Sequence, residues 1–397
     1  MPIYFRSTSV WPAAFLALLL AACGGGSGGN DSPPPALGAA AALGAKIFSD
    51  ASLSVSGQMS CATCHEPSAA HATNNPDLVV PAGGATLETH GFRNAPSLRY
   101  LNLTPAFFFD GEGTPTGGFN RDGRASSLLA QAERPFLAPH EMANATSADV
   151  IAKLRLAPYA DEFRKVFGAG IFDTPDAAFD RVRFALAQYQ MEDADFHRFD
   201  SKYDAFLAGR ASLTGREIQG LALFNNPAKG NCAACHPSAR GADGSPPLFT
   251  DFTYDNIGVP RNASIPANAD TSYFDLGLCG PLRTDLADRD DLCGAFKVPT
   301  LRNVAVSAPY FHNGRFRTLK EAVGFYVRRD THPEEWYPLD KDGIVRKFDD
   351  LPLRYRRNVN TTEAPYNRGQ GDAPALTPEE VDLVVEFLGT LTDGYRP

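Results

Sequence analysis

Two copies of one short motif constrain this 397-residue chain more than any other feature. The first copy reads CATCH, from Cys61 to His65, and the second reads CAACH, from Cys232 to His236. A zinc site usually takes its four ligands from two neighbouring pairs, whereas these cysteine pairs lie 171 positions apart and each ends in its own histidine. A redox-active dithiol of the thioredoxin type needs a βαβ context, which the flanking sequence does not show. Neither zinc nor a catalytic dithiol therefore explains the repeated motif.

Covalent attachment of haem explains the spacing of each motif. Two thiols with two intervening residues can form thioethers with the two vinyl groups of a porphyrin, and the adjacent imidazole can then bind the iron. The sequence therefore predicts two covalently bound haem c groups. The predicted attachment residues are Cys61, Cys64 and His65 for the first haem, and Cys232, Cys235 and His236 for the second.

The N-terminal residues indicate export. Arg6 precedes an apolar run that ends at Cys23 and is too short for an ordinary membrane span. Leu20–Cys23 resembles the cleavage box of bacterial lipoproteins, in which the cysteine carries lipid, and a plain secretory signal is the alternative. The Gly/Ser/Pro-rich segment that follows favours the lipoprotein, because it supplies a flexible tether. We therefore expect a signal peptide at 1–22, a tether at 23–36, and a periplasmic protein anchored to the membrane through lipid on Cys23.

Two cysteines remain outside the motifs and the leader, Cys279 and Cys293. Free thiols are uncommon in exported proteins, because the compartments that receive them are oxidising. A disulfide closing a loop of this size would stabilise the fold by about 3 kcal/mol. We therefore predict that these two cysteines are bonded to each other.

Similar segments precede the two motifs. LGAKIF at Leu43–Phe48 resembles QGLALF at Gln219–Phe224, and each lies in a segment with the apolar spacing of an amphipathic helix. Helical patterns also dominate elsewhere, for example in 147–167, whereas strand patterns are short and scattered. The predicted fold is mainly α, with two cytochrome c-like haem domains related by internal duplication, long loops and little β structure. The predicted domains are residues 37–205 and 206–397.

The charge balance gives no sign of a nucleic-acid partner. The formal net charge is −9, and 43% of the residues are hydrophobic, enough for a substantial core. An acidic surface repels a phosphate backbone but can attract a basic protein.

The positions of the methionines limit the ligands available to the second haem. The chain contains four: Met1, Met59, Met142 and Met191. No methionine therefore lies in the second motif or after it. In many cytochromes c a methionine and a histidine both bind the iron and raise its reduction potential. The second iron is predicted to take another sixth ligand.

Longer segments resemble the bacterial dihaem cytochrome c peroxidases and the related MauG enzymes, which oxidise tryptophans of a partner protein. The resemblance extends from about Leu43 to Leu388. Besides the two motifs, it rests on RNAPSL at Arg93–Leu98, DGRASSLLAQAERPFLAPHEM at Asp122–Met142, FKVPTLRNVAVSAPYFHNG at Phe296–Gly314 and TLKEAV at Thr318–Val323.

This resemblance implies that the first haem reacts with hydrogen peroxide. Residues matching the open face of that haem are Gln131, Pro135 and Glu141. A carboxylate in an apolar pocket can accept a proton from peroxide and return it to the leaving oxygen, because burial raises its pKa. The resemblance therefore implies that Glu141 is the proton shuttle.

The resemblance also implies a tyrosine ligand at the second haem. Peroxidases of this type carry methionine 14 residues after the histidine that matches His312, whereas MauG-like members carry tyrosine, as this chain does at Tyr326. A phenolate is a hard anionic donor, so it should lower the potential and favour storage of oxidising equivalents. His312 would then lie nearby without binding the iron. A core tyrosine on an amphipathic helix is the alternative.

A calcium ion between the haems is a further implication. Its ligands match Asn94 and the backbone carbonyls of Ser307 and Pro309, a set of oxygens that calcium accepts.

One position departs from the family, which commonly has a tryptophan between the haems where this chain has Arg121. Electron hopping by that route would need another aromatic residue.

A capped first iron is an alternative to an open one, with His71 or His90 as the candidate cap. The open iron is favoured, because a catalytic haem keeps an accessible face. We therefore expect an oxidoreductase that reduces hydrogen peroxide with electrons from a small redox protein. MauG-like oxidation of residues on a partner protein and a non-catalytic dihaem electron carrier are the alternatives.

Overall fold

The computed structural model describes residues 36–73, 75, 77 and 79–397, and the predicted signal peptide and the tether up to residue 35 lie outside this part. Leu37–Pro397 form one compact unit. No helix in the described part is both long enough and apolar enough to cross a membrane.

The described part is mainly helical, with little strand, as the sequence predicts. Its helices are α1 Ala39–Ser49, α2 Cys61–Cys64, α3 Leu128–Gln131, α4 Arg134–Leu137, α5 Ser147–Leu154, α6 Ala160–Phe167, α7 Pro175–Glu192, α8 Lys202–Leu207, α9 Gly215–Asn225, α10 Leu319–Arg328 and α11 Pro378–Gly389. Its strands have two residues each and form three antiparallel pairs: β1 Ala82–Gly83 with β2 Thr89–His90, β3 Phe108–Phe109 with β4 Pro115–Thr116, and β5 Tyr254–Asp255 with β6 Phe296–Lys297.

Local sequence signals explain several helix boundaries. The Thr377 hydroxyl accepts a hydrogen bond from the Glu380 amide at 3.2 Å, and the Glu380 carboxylate accepts one from the Thr377 amide at 2.9 Å, so α11 starts with a capping box. The helical pattern over 147–167 forms two helices, with a turn around Pro158 between them. Proline has no amide hydrogen to donate and therefore interrupts such a run.

A pair of tightly packed helices supports each motif. The first pair is α1 against α7, and the second is α9 against α11. A Cβ atom on Gly44 of α1 would lie 2.0 Å from the Ala185 carbonyl oxygen, and a Cβ on Gly220 of α9 would lie 2.0 Å from that of Leu383. Only glycine permits so close an approach. The two glycines occupy matching positions in LGAKIF and QGLALF.

The two largest apolar clusters lie in different halves of the chain. One is built from buried residues between Leu43 and Phe196, and the other from residues between Tyr203 and Leu391. Cys279 and Cys293 form the predicted disulfide, with their Cα atoms 5.0 Å apart. This bond closes the loop that precedes β6.

Candidate functional site

The first motif lies at the wall of a cavity. α2 is a single turn capped by the side chains of Ser60 and Thr63, and it brings the two thiols of its ends to the same region. Cys61 and Cys64 are partly buried, and loss of solvation raises the pKa of both to about 12. Neither cysteine belongs to a disulfide in the described part of the chain, so both thiols are available for attachment of a haem.

His65 ends α2 in an orientation suited to binding iron. Its Nδ1 lies 3.1 Å from the carbonyl oxygen of His71 and 3.0 Å from that of Pro96. With the proton on Nδ1 donated to these carbonyls, Nε2 keeps its lone pair, as in metal-binding histidines generally. Loss of solvation lowers the pKa of His65 to about 4, so the ring is neutral, which is the form that binds a metal.

The residues predicted for the open face line the same cavity, which has a volume of about 330 Å³. Gln131 is the last residue of α3, Pro135 lies in α4, and Glu141 follows in the next turn. The structure therefore brings all three together with the first motif.

The environment of Glu141 raises its proton affinity. Loss of solvation raises the pKa of this carboxyl, while Arg134 and Arg124 act in the opposite direction. The Nε2 atom of His140 lies 3.6 Å from a Glu141 carboxylate oxygen, and loss of solvation lowers the pKa of that histidine. The two arginines and His140 also line the cavity. Sequence reasoning missed them because nothing in the pattern shows which residues of that segment face inward.

Neither candidate cap lies at the cavity. His71 is buried, its Nε2 is 2.8 Å from the Asp195 carboxylate, and its ring stacks on Phe196 with centroids 4.2 Å apart. Its carbonyl accepts from Nδ1 of His65, which leaves Nε2 of that histidine as the nitrogen that would bind a metal. His90 is exposed in β2. This arrangement matches an open first site.

The histidine of the second motif is anchored in the same way as that of the first. Cys232 and Cys235 are partly buried, and loss of solvation raises the pKa of each to about 12. The Nδ1 atom of His236 lies 2.7 Å from the Phe249 carbonyl oxygen, which again leaves Nε2 free for a metal. Burial lowers the pKa of His236 and keeps the ring neutral.

Tyr326 lies beside this second motif, on α10. Loss of solvation, followed by the negative charge of Asp255, raises its pKa. Its ring packs against Phe311 at 5.5 Å and against Tyr366 at 6.2 Å between centroids. Tyr366 is a second tyrosine at this site, and no sequence signal pointed to it because it lies 40 positions away.

His312 does not share the surroundings of Tyr326. Its ring stacks on Phe296 with centroids 3.7 Å apart, and its buried Nε2 has no hydrogen-bond partner among the described residues. Burial lowers the pKa of His312 to about 3.

The predicted calcium ligands meet at the same cavity, which Asn94, Ser307 and Pro309 all line. The Asn94 side-chain amide contacts the Pro309 carbonyl, and its buried Oδ1 has no protein partner in the part of the chain that the structure describes. Such an oxygen is costly to bury unless a cation or water binds it. Arg121 donates from Nε to the Asn94 carbonyl at 3.1 Å, and loss of solvation lowers its pKa to about 10.

Comparison with known proteins identifies the family. The family model described as di-haem cytochrome c peroxidase matches residues 38–212. The chain is 38% identical to the methylamine utilization protein MauG of Paracoccus denitrificans over 375 residues, which cover 90% of each protein. The chain belongs to the dihaem cytochrome c peroxidase family. It is therefore an oxidoreductase, and the family implies haem cofactors.

Further relatives of this dihaem peroxidase agree in sequence and in fold. It is 30% identical to the cytochrome c551 peroxidase of Nitrosomonas europaea, over 71% of each protein. The crystal structure of the diheme peroxidase BthA from Burkholderia thailandensis superposes with a TM-score of 0.81 at 40% identity, covering 89% of this chain and 86% of that one. The neutral, carbonyl-anchored histidine beside a thiol pair at each motif fits haem at both sites.

Proposed function

We propose that this protein reduces hydrogen peroxide at the first site, while the second site relays or stores oxidising equivalents. Glu141 carries the proposal, because its carboxyl, with a raised pKa, lines the same cavity as the first motif. When bound, haem supplies the iron that exchanges electrons with peroxide. The reaction consumes two electrons and two protons and converts one hydrogen peroxide into two waters.

The chain's own residues handle the proton and the position of the substrate. We propose that the Glu141 carboxylate accepts the proton of one peroxide oxygen and delivers it to the other oxygen, which leaves as water. Gln131 offers an amide to orient the peroxide, and Pro135 narrows the cavity and limits the entry of water. His65 and His236 would hold the two irons, and the four motif cysteines would carry the haems as thioethers.

Electron paramagnetic resonance of the purified, haem-loaded protein tests this function. We expect a high-spin ferric signal from the first site, and we expect hydrogen peroxide to abolish it. We also expect the pigment to resist acid–acetone extraction. Low-spin signals alone, with no reaction with peroxide, would show that the protein is a dihaem electron carrier and that the proposal is wrong.

MauG-like oxidation of a partner protein is the second candidate. The 38% identity to a MauG over 90% of the chain favours it, as does the tyrosine beside the second motif. A peroxidase turns over with a redox protein as the only electron donor. A MauG-like enzyme instead retains its oxidising equivalents until a protein substrate supplies the electrons.

The ligands of the second iron and of calcium are also proposals. We infer that His236 and Tyr326 bind the second iron, because both lie at the second motif. We infer that calcium binds Asn94 and the carbonyls of Ser307 and Pro309. The buried Oδ1 of Asn94, which has no hydrogen-bond partner in the described residues, supports this inference.

We further propose two haem domains related by duplication, residues 37–205 and 206–397. The separate apolar clusters and the matching glycines, Gly44 and Gly220, support this division. Export to the periplasm with lipid on Cys23 is proposed from the sequence of the leader. The Cys279–Cys293 disulfide supports it, because such bonds persist in oxidising compartments.

A further inference from the structure

We propose that the surface around the β3–β4 hairpin is the docking site for a small, positively charged electron-transfer protein that reduces this enzyme. We call this surface the Phe108 patch; its exposed centre and acidic rim are Phe108, Phe109, Asp110, Glu112, Asp285, Asp288 and Asp291. The inference rests on the proposed function, since an enzyme that reduces peroxide consumes electrons and needs a donor to supply them.

The centre of the patch consists of two adjacent aromatic side chains in water. Phe108 is 47% exposed and Phe109 is 37% exposed. The hairpin holds them in place, because the Asp110 carboxylate accepts hydrogen bonds from the amides of Glu112 at 2.9 Å and Thr114 at 2.8 Å. Single exposed apolar residues are ordinary, but aromatic residues grouped on a fixed surface are typical of protein interfaces.

The disulfide-closed loop packs against the hairpin through arginines. The Arg283 guanidinium lies 3.9 Å from the ring centroid of Phe107, and that of Arg289 lies 5.3 Å from the centroid of Phe109. Arg283 also binds Asp285 with two hydrogen bonds, of 2.8 and 2.9 Å. Arg289 binds Asp291 in the same manner, at 2.9 and 2.7 Å. The loop therefore presents carboxylates next to the exposed rings.

The charges of the patch select the partner. Its five carboxylates outnumber the two arginines, and the side chains of Asp285 and Asp291 are 64% and 61% exposed. The whole chain is also acidic, with a formal net charge of −9. A second copy of this chain would therefore be repelled, whereas a basic protein would be attracted and oriented.

The patch leads to the second haem site through aromatic rings. The centroids of Phe109 and Phe107 are 5.4 Å apart, and those of Phe107 and Tyr254 are 5.9 Å apart. Tyr254 is held by a hydrogen bond to the Gly117 carbonyl at 2.6 Å and precedes Asp255 in β5. The segment just before β5 contacts the second motif, because the Asp251 amide donates a hydrogen bond to the Cys235 carbonyl at 3.0 Å. A donor on the patch therefore lies at the start of a path to the second site.

The electron count is simple. Each reduced donor gives one electron and leaves oxidised by one electron, so two donors are consumed for each hydrogen peroxide converted to two waters.

The donor binds transiently, and an aromatic centre with a charged rim suits such a partner, because the charges raise the rate of encounter without a large buried area.

Steady-state kinetics and binding with equine ferrocytochrome c, a small basic haem protein, test the proposal. Two variants alter the patch, Phe108→Ser/Phe109→Ser and Glu112→Lys/Asp288→Lys. Two matched controls change exposed residues elsewhere, Leu156→Ser/Ile344→Ser and Asp161→Lys/Asp342→Lys. We expect each patch variant to lower kcat/KM for the cytochrome about 10-fold or more and to weaken its Kd in surface plasmon resonance similarly. We expect the controls to change neither value.

Salt and peroxide measurements separate the possible failures. The kcat/KM of the unaltered protein should fall as salt is added, and the lysine patch variant should lose most of that dependence. Patch variants that bind and oxidise the cytochrome as the unaltered protein does would overturn the proposal. A second result would also overturn it: ultracentrifugation that shows dimers for the unaltered protein and the controls but monomers for the patch variants. A second copy of the chain would then cover the surface. The reaction of peroxide with the enzyme alone, followed in a stopped flow, reports the proposed function independently, and the binding data still decide the docking site if that reaction is absent.

Discussion

At the scale of single residues, Glu141 should control the reaction with peroxide. Replacing it in Glu141→Gln keeps the size of the side chain but removes the proton acceptor. We expect kcat/KM for hydrogen peroxide to fall by about 10²–10⁴-fold, the usual contribution of a positioned acid–base group. The matched control is Glu88→Gln, at an exposed turn before β2, which should leave the rate unchanged. Equal rates in the two variants would remove Glu141 from the mechanism.

The acidic limb of the pH–rate profile should report the same group. Glu141 can accept a proton only as a carboxylate, and loss of solvation raises its pKa above the ordinary value of 4.5. Activity should therefore be complete above the raised pKa and should fall as the pH decreases through it. The check is kcat/KM for peroxide against pH, where the limb should lie above pH 4.5 and disappear in Glu141→Gln. A profile that is flat down to pH 4.5 would contradict the assignment.

Tyr326→Phe should change the second iron without affecting the first. Phenylalanine has no oxygen to donate, so we expect the low-spin ferric signal of the second site to be replaced by a high-spin one. Tyr366→Phe is the matched control, because Tyr366 packs on Tyr326 at the same site. An unchanged spectrum in Tyr326→Phe together with a changed spectrum in Tyr366→Phe would transfer the ligand role to Tyr366.

The residues that sequence reasoning could and could not find differ in a physical way. The attachment residues follow from local spacing, because the thioether chemistry requires two thiols and a histidine within five positions. Gln131, Pro135, Glu141 and Tyr326 follow from resemblance, and the structure brings each to a motif. Tyr366 approaches the second site through tertiary packing, which leaves no local pattern. His140 adjoins Glu141 in sequence, but only the fold shows that its side chain lines the cavity.

At the scale of helices, the two glycine contacts should carry measurable stability. Gly44→Ala and Gly220→Ala each place a methyl group 2.0 Å from a carbonyl oxygen of the opposing helix. The helices must then separate, and overpacking of this kind costs about 1–3 kcal/mol. Gly215→Ala is the matched control in α9, because its Cβ would meet nothing within 4 Å in the described part. Chemical denaturation measures the free energies of unfolding, and equal values in all three variants would contradict the close packing.

The helices were more predictable than the strands, because a helix carries its signal within its own sequence. A helix of eight or more residues repeats its apolar spacing several times and carries its own caps, as α5, α9, α10 and α11 do. Each strand has only two residues, and its pairing depends on segments brought together by the fold. Such pairs are too short for a periodic signal.

At the scale of the whole molecule, buried polar contacts join the two halves of the chain. Arg93 donates to Asp275 from both Nε and Nη2, at 2.6 and 2.7 Å, and Arg99 donates to Asp393 at 3.1 Å. The backbone amide of Asn94 donates to the His312 carbonyl at 2.8 Å. These partners lie far apart in sequence, so neither composition nor periodicity could pair them. The resemblance indicated only that Asn94 and the segment near Pro309 meet.

Calcium should stabilise the contact between the two halves of the chain, because its proposed ligands come from both halves. Removing it with a chelator would leave the buried Oδ1 of Asn94 without a partner. We expect chelation to lower the Tm of the haem-loaded protein and added calcium to restore it, since a ligand at a hundred times its Kd stabilises the folded state by about 2.7 kcal/mol. Asn94→Ala should have a low Tm that calcium no longer changes. Asn102→Ala is the control, because its Oδ1 is likewise buried without a partner among the described residues but Asn102 does not line the cavity. This variant should keep the response to calcium. A protein that contains no calcium by elemental analysis and whose Tm ignores the chelator would show that direct protein contacts alone hold the halves together.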